Sequence, residues 1–399
     1  MKNQLITILI IISLIECKTH YDNNSEELGL ISLYILNTQK YGRYGQSSVS
    51  LDNDTILIIG GQDGYRIQND LSIYDPNRNL VYQVGQMRTR RSNFKSIRLL
   101  DGRVLIVGGV TLPVNEGENQ GVTDQTEIYD PITNSIILGP KLNQARADFT
   151  LDLLNDGRVL VVGGRGSDTV LRSVEIFDPN TMTMNQLGNM NFNRFLHTST
   201  MLNNGKILIV GGLDNSRLTI GTTELFDPNT MNFTQSGNLS VSRMLHTANL
   251  LPNNNVIVIG GHKVTDPPYA INTKVMEVFD SGSNLFSSVG NITGFRSGHT
   301  SNLISNDELL LCGGEQIVKG LPILSSCEVY NLGTYSVVEK GEMLSKRSFH
   351  SAHNISNSRM FISSGFKGVD LESGIPNASK TSEIYDYTSH RSTSVNGDL

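Results

Sequence analysis

Pairs of adjacent glycines recur along this chain at a nearly constant spacing, and that spacing limits the fold more than any other feature. The pairs begin at residues 60, 108, 163, 211, 260 and 313, and a degenerate seventh pair is Ser364-Gly365. The steps between them are 48, 55, 48, 49, 53 and 51 residues. Self-similarity at a period of about 50 residues is typical of a repeat architecture in which each repeat is one structural unit.

A short run of Val, Ile and Leu precedes each glycine pair, as expected of strands that are buried on both faces. These runs are residues 55–59, 104–107, 159–162, 207–210, 256–259, 309–312 and 360–363. Three of them follow Asp101-Gly102, Asp156-Gly157 or Asn204-Gly205. Such dipeptides predict two-residue hairpin turns in which both turn residues have a positive φ.

A second signature follows each glycine pair after a loop of variable length. It consists of an aromatic residue and an acid or amide, often with a proline, and it predicts the turn that ends a third strand. The seven copies are Tyr74-Asp75-Pro76, Tyr129-Asp130-Pro131, Phe177-Asp178-Pro179, Phe226-Asp227-Pro228, Phe279-Asp280, Tyr330-Asn331 and Tyr385-Asp386.

Together these motifs resemble the kelch repeat over residues 43–399. The resemblance implies an all-β fold, a seven-bladed kelch-type β-propeller of four-stranded blades. This chain has no Trp, although the family often carries one in the fourth strand. Seven blades leave the apolar residues 28–36 unassigned, and we predict that this stretch is a closure strand at the seam of the ring.

The N-terminus has the pattern of a secretory signal peptide over residues 1–17. Lys2 precedes an apolar run over residues 5–15, which is too short to span a bilayer as a helix. Two interpretations stand for Cys17: lipidation, because residues 14–17 resemble a lipobox, or an ordinary signal peptide cleaved before Glu26. Either one predicts export, to the cell envelope (lipid-anchored or periplasmic) or the medium, with residues 18–42 as an N-terminal segment.

The charge of the chain argues against nucleic acid as a partner. The formal net charge is −6 and no basic stripe is present, whereas phosphate backbones require a basic face.

One arginine and one glutamate recur in register. An arginine lies 17 residues before every glycine pair, and a glutamate lies two residues before the aromatic residue in six of the seven repeats. The arginines are either a ring around one mouth of the axial channel or, as we favour, partners of the glutamates inside the blades. The predicted ion-pair residues are Arg91, Arg146, Arg194, Arg243, Arg296, Arg347, Glu127, Glu175, Glu224, Glu277, Glu328 and Glu383.

The first repeat breaks this pattern, because Ser72 stands where the other repeats have the glutamate. Arg43 therefore lacks the expected partner within its blade, and an unpaired buried arginine is unfavourable. We predict that Glu383, Glu26, Glu27 or an anionic ligand neutralises it, which ranks Arg43 as a ligand contact.

The position 14 residues before each glycine pair holds histidine in four repeats. Four histidines in register suggest a metal site, but Phe and Gln share the position, which favours a packing role. We predict no metal and no other cofactor. The seven residues are Gln46, Phe94, Phe149, His197, His246, His299 and His350.

Cys312 and Cys327 lie on neighbouring predicted strands of the sixth repeat. In an exported protein they form either a disulfide or two buried thiols, depending on a Cβ separation that the sequence does not supply.

The loops that follow the second strands are predicted to open on one face, where variable loops on a rigid scaffold commonly bind ligands. Candidate ligand contacts in them are Tyr65, Arg66, Arg165, Arg217, His262 and Tyr269.

Two function classes remain after this reading. We favour an exported binding module that takes a protein or glycan partner through these loops. The alternative is a carbohydrate-active enzyme, either a copper oxidase resembling galactose oxidase or a sugar isomerase, since a fold alone does not decide function. No sialidase box, nucleophile elbow or phosphate-binding loop supports catalysis.

Overall fold

The computed structural model describes residues 44–62, 67–111, 121–266, 269–316, 322–356, 358–369, 376–379 and 381–397. The predictions for the signal peptide, Cys17, the closure strand at residues 28–36 and Arg43 concern residues outside those ranges. The described residues are almost entirely β-structure, with one short 3-10 helix at Asp52–Asp54. Among them, no helix has the length and hydropathy that a membrane span requires.

Each repeat contributes four antiparallel strands in chain order. Five repeats form separate four-stranded sheets, and the last two are joined into one eight-stranded sheet by a single parallel bridge between Glu342 and Arg391. The predicted β-propeller of four-stranded sheets is confirmed.

The first strand of each repeat faces the axis and is only partly buried. These strands touch one another in a closed cycle, in which the first strand of the last repeat contacts that of the first. They are Ser47–Ser50, Lys95–Arg98, Thr150–Leu153, Thr198–Met201, Thr247–Leu250, Thr300–Leu303 and Ser351–Ile355.

The second strands are the apolar runs that the sequence predicts, and their core residues are fully buried. Alternate side chains face the two neighbouring repeats: Leu57 and Ile59 pack towards the second repeat, while Ile56 and Ile58 pack towards the last. This two-sided burial explains why the runs are continuously apolar. The strands are Ile56–Gln62, Val104–Val107, Val159–Val162, Ile207–Val210, Val256–Ile259, Glu308–Cys312 and Arg359–Ser363.

The third strand carries the recurring glutamate and ends at the aromatic-acid motif, and the fourth strand forms the partly exposed outer edge. The third strands are Ile67–Asp75, Thr126–Asp130, Ser173–Asp178, Thr223–Asp227, Val275–Asp280, Ser326–Asn331 and Ser382–Asp386. The fourth strands are Leu80–Gln86, Ser135–Leu138, Thr183–Asn189, Asn232–Gln235, Leu285–Asn291, Ser336–Glu342 and Arg391–Ser394.

The turns between first and second strands differ from the prediction of two positive φ angles. In Asp101-Gly102 only the glycine has a positive φ, of 89°. The Leu99 amide bonds to the Arg103 carbonyl, and the Gly102 amide bonds to the Leu99 carbonyl. The loop is therefore longer than two residues, and it needs a left-handed residue only at its end.

The glycine pairs lie where adjacent repeats touch. A Cβ atom on Gly108 would meet the Arg146 carbonyl oxygen of the next repeat at 2.5 Å, so only glycine fits. The amide of Gly109 donates to that same carbonyl at 2.8 Å. The pair thus permits a backbone bond between repeats that a larger residue would block.

The ring closes between the last and first repeats without an exchanged strand among the described residues. Tyr74 stacks on Phe361 with ring centroids 4.1 Å apart. The Asn396 carbonyl accepts a bond from the Val81 amide at 2.9 Å, and the Asn396 amide donates to the Asn79 carbonyl at 3.0 Å.

Candidate functional site

A cavity of about 400 Å³ opens on the axis at the end of the ring where the first strands begin. Arg165, Glu315 and Phe366, each placed just after a glycine pair, also line it. The cavity therefore opens on the face that carries the loops after the second strands. We call this the loop face.

The rim of the cavity consists of one residue from each repeat with a positive φ of 52–68°. Their backbones are joined in series: the Asp148 amide donates to the Asn93 carbonyl at 3.1 Å, and the Leu196 amide donates to the Asp148 carbonyl at 3.1 Å. Left-handed backbone is unfavourable for Leu and Phe, so the surrounding ring must hold it in place. The rim residues are Gly45, Asn93, Asp148, Leu196, Leu245, Gly298 and Phe349.

Behind the rim, the four register histidines link neighbouring repeats. The hydroxyl group of a threonine in one repeat lies within hydrogen-bond distance of the imidazole Nε2 of the next, as in Thr198–His246 at 2.9 Å and Thr300–His350 at 2.9 Å. Burial, with the nearby arginines, lowers the pKa of His246 and of His350 to about 3. These histidines are therefore neutral packing residues. Gln46 takes the same place, donating to Ser351 at 3.3 Å.

One side of the cavity is polar. Arg165 pairs with Asp148 at 2.6 Å between Nε and Oδ2. The side-chain amide of Asn93 donates to the other carboxylate oxygen of Asp148 at 2.9 Å. Lys95 lies beside this group on the first strand of its repeat, with its side chain reaching solvent in the cavity. Crowding by protein lowers the pKa of Lys95, and the attraction of Asp148 opposes that shift.

The other side of the cavity is mostly apolar, formed by Leu196, Leu245, Phe349 and Phe366. Glu315 is the acid within it, and its side chain is only 7% exposed. Its Oε1 atom accepts no hydrogen bond within the described part of the chain, while Oε2 accepts one from Ser348 at 3.4 Å.

His262 does not lie where the sequence predicts. It is fully buried and is not among the residues that line the axial cavity, so the structure does not place it as an exposed ligand contact. Its Nε2 lies 2.8 Å from the Ser297 hydroxyl and 3.5 Å from Glu315, and its Nδ1 lies 3.2 Å from the Asn272 side-chain amide. His262 therefore supports the wall behind Glu315.

The other predicted contacts are not brought together. Arg165 lines the cavity, whereas Arg217 lies exposed in a turn after the fourth glycine pair and is not among the lining residues. Tyr65, Arg66 and Arg43 fall outside the described residues, as does the side chain of Tyr269. Their assignment stays a prediction.

The recurring arginines lie inside the repeats rather than around the cavity. In Arg194 and Glu224 both side chains are fully buried, with Nη2 and Oε1 3.0 Å apart. The arginine also donates to the Gly211 carbonyl at 2.7 Å, and the glutamate accepts the Asn191 and Phe192 amides. Equivalent pairs are Arg91–Glu127, Arg146–Glu175, Arg243–Glu277, Arg296–Glu328 and Arg347–Glu383.

Three of the long loops form two-stranded hairpins on the loop face. They are Val110–Thr111 with Gly121–Val122, His262–Asp266 with Tyr269–Asn272, and Phe366–Val369 with Pro376–Ala378. The hairpins extend from the second, fifth and seventh repeats, so they are spread around the mouth of the cavity.

Cys312 and Cys327 form a disulfide between directly opposed positions of the second and third strands. No three His, Cys, Asp or Glu residues within the described ranges are grouped as a metal site would need.

Sequence reasoning missed Lys95, Asp148 and Glu315. Lys95 stands where the other repeats have Thr or Ser, so a comparison of the repeats for exceptions would have identified it. The positions of Asp148 and Glu315 vary from repeat to repeat, so the repeats give no signal for these two residues.

Comparison with known proteins agrees with this architecture. A family model described as the kelch motif matches residues 43–88. Kelch-like protein 40 of Xenopus tropicalis is 29% identical over 124 residues, which is 31% of this chain and 19% of that protein. The match thus spans about a fifth of that relative's length. The solved structure of YjhT is similar with a TM-score of 0.58 at 16% identity, covering 75% of this chain and 98% of that one, a likeness of fold alone.

Proposed function

Because this chain is a kelch-repeat β-propeller, we propose that it is a binding module that takes a protein or glycan partner on its loop face. Protein interaction is the typical role of kelch repeats, which gives the general class. The finer statement, which face and which kind of partner, depends on the loops.

The observation that carries the proposal is the grouping of three hairpins around one cavity. The scaffold below them is fixed by buried strands and ion pairs, whereas the hairpins differ in length and sequence. Binding residues are concentrated on such loops because a rigid scaffold positions them. The hairpin His262–Asp266/Tyr269–Asn272 presents Ile271 with 59% of its surface exposed.

A pair of matched substitutions tests the face. Ile271 lies on the loop face, and Ile132, which is 87% exposed, lies in the turn between a third and a fourth strand at the opposite end. Binding of the whole protein to a glycan array and to crosslinked envelope proteins would be compared for Ile271→Asp and Ile132→Asp. We expect a loss only for Ile271→Asp. Equal binding by the two variants would refute the proposed face.

Export is part of the proposal. Its support is the basic and apolar pattern at residues 1–17 and the disulfide Cys312–Cys327, since disulfides persist in oxidising compartments. Labelling with a radioactive fatty acid that disappears in Cys17→Ala would identify lipidation. A secreted, unlabelled protein would identify the ordinary signal peptide instead.

A carbohydrate-active enzyme is the competing function. The copper site of galactose oxidase requires a Tyr–Cys crosslink, and within the described residues both cysteines are joined in a disulfide. The sugar isomerase remains the alternative to test. Conversion of a sugar bound on the array, detected by mass spectrometry, would favour the enzyme over the binding module.

A further inference from the structure

Lys95 is an exception among the seven residues that directly follow the register positions, of which four hold histidine. In four other repeats this position is a threonine, and in three of those cases its hydroxyl bonds to the imidazole of the next repeat at 2.9–3.1 Å. The residue facing Lys95 from the next repeat is Phe149, which cannot accept a hydrogen bond. Lys95 thus places an ammonium group in the cavity where the ring needs none.

This ammonium has no ion-pair partner within the described residues. Asp148 is the acid that attracts it, and the two oxygens of that carboxylate already accept from Arg165 and Asn93. A cation in this position can therefore attract an anionic group that enters the cavity.

Glu315 carries the complementary charge in the cavity. Its carboxylate is more than nine-tenths buried, lines the same cavity and leaves Oε1 without a donor. The imidazole Nε2 of His262 is 3.5 Å away but already bonds to Ser297. A buried carboxylate oxygen without a donor is unfavourable, so a bound group with N–H donors would stabilise it.

The two groups face each other across the axis. Lys95 belongs to the second repeat and Glu315 to the sixth, which are nearly opposite in a closed cycle of first strands. Four charged residues line the cavity, and their charges cancel. Lys95 and Arg165 are positive, whereas Asp148 and Glu315 are negative. Leu245 and Phe349 line the same cavity and offer an apolar surface.

We propose that the axial cavity binds a small zwitterion, whose carboxylate faces Lys95, whose ammonium faces Glu315 and whose apolar atoms lie against Leu245 and Phe349. This inference rests on the proposed binding function of the loop face and names the class of its small ligand. The cavity volume of about 400 Å³ is in the range of small-molecule sites.

Three probes with the same carbon skeleton test the proposal by titration calorimetry of the full-length protein. They are ε-aminocaproate, which carries both charges, caproate, which carries the anion, and hexylamine, which carries the cation. We expect ε-aminocaproate to bind at least about tenfold more tightly than either of the other two, because it satisfies both groups at once.

Two substitutions assign the ends. Lys95→Thr installs the residue of four other repeats and should weaken ε-aminocaproate and caproate about tenfold, with hexylamine unchanged. Glu315→Gln should weaken ε-aminocaproate and hexylamine, with caproate unchanged. Arg158→Ala, in the turn between a first and a second strand at the opposite end of the ring, is the control and should change none of the three affinities. Thermal unfolding of each variant would verify that the fold is intact.

Equal affinities for the three probes, no binding of ε-aminocaproate, or an unchanged affinity in Lys95→Thr would overturn the zwitterion assignment. These results are independent of the Ile271→Asp experiment, which measures a macromolecular partner. Loss of partner binding in Ile271→Asp without any zwitterion binding would leave the proposed function in place and remove this inference alone.

Discussion

Arg194 and Glu224 lie 3.0 Å apart between Nη2 and Oε1, and water reaches neither side chain. The glutamate bonds at the same time to the Asn191 and Phe192 amides, in the segment that leads to the arginine. The pair therefore fastens the first strand of a repeat to its third strand, and the same contact recurs in five further repeats.

Removing one member of this pair should destabilise the protein strongly. Arg194→Ala leaves a buried carboxylate without its cation, which typically lowers the free energy of unfolding by about 3–5 kcal/mol. Urea unfolding of the variant and the wild type measures this loss. The control is Arg158→Ala, whose pair with Asp156 is 28% and 50% exposed and should contribute at most about 1 kcal/mol. Similar losses in the two variants would contradict a structural role for Arg194.

Acid should destabilise the ring through its neutral histidines. The pKa of His350 is about 3 in the folded protein against an ordinary 6.5, because of burial and the charge of Arg347. The unfolded chain therefore binds the proton first, and stability present above pH 6.5 is lost as the pH falls towards 3. Each such histidine lowers the free energy of unfolding by up to about 1.4 kcal/mol for every pH unit of acidification in this range.

His350→Gln tests this pH dependence. Glutamine occurs naturally at the same position of the first repeat as Gln46, where it bonds to Ser351 at 3.3 Å. Urea unfolding at several pH values should show a shallower loss of stability in the variant, with about one proton fewer taken up on unfolding. An unchanged slope would mean that His350 is not neutral in the folded protein.

Asp152 should make stability depend on pH in the direction opposite to that of the histidines. Burial raises its pKa from 3.8 to about 6, with Ser199 opposing the shift. A raised pKa in the folded state means that stability is present at low pH and is lost as the pH rises through about 6.

Asp152→Asn removes this loss, and Asn249 and Asn302 show that asparagine fits the same position. Thermal unfolding should give a gain of about 1–3 kcal/mol at alkaline pH and almost none in strong acid. A gain that is equal at both pH values would contradict ionisation as its cause.

The disulfide Cys312–Cys327 closes a loop of 15 residues, and loops of this length are stabilised by about 3 kcal/mol through restriction of the unfolded chain. The double variant Cys312→Ala, Cys327→Ala should therefore unfold at a lower temperature than the oxidised protein. Wild type unfolded in excess reductant is the control and should approach the variant. An oxidised protein no more stable than the variant would show that the bond does not constrain the chain.

Much of the fold was predictable because its strongest signals are local and repeated. Four of the seven second strands have the predicted bounds, for example Val159–Val162 and Ile207–Val210, since burial between two repeats demands an unbroken apolar run. The arginine–glutamate pairing could be predicted from the sequence because both residues recur in register.

The candidate site was less predictable because most of it is built from positions that vary between the repeats. His262 was predicted to contact a ligand, but its side chain is fully buried beside Asn272 and Ser297, and no property of a single histidine indicates those contacts. The left-handed backbone of Leu245 and Phe349 could not be predicted either. A positive φ is unfavourable for Leu and Phe, and only the contacts with the neighbouring repeats impose it.

The closure of the ring also has a kinetic meaning. Within a repeat the strands are near neighbours in sequence, so each sheet can form by closing short loops. The contact between Ser48 and His353 instead joins residues 305 positions apart, and the entropy of closing a loop rises with its length. Non-local contacts of this kind slow folding. The repeats should therefore assemble as an open arc, and the junction of the last repeat with the first should be the final contact to form and the first to open.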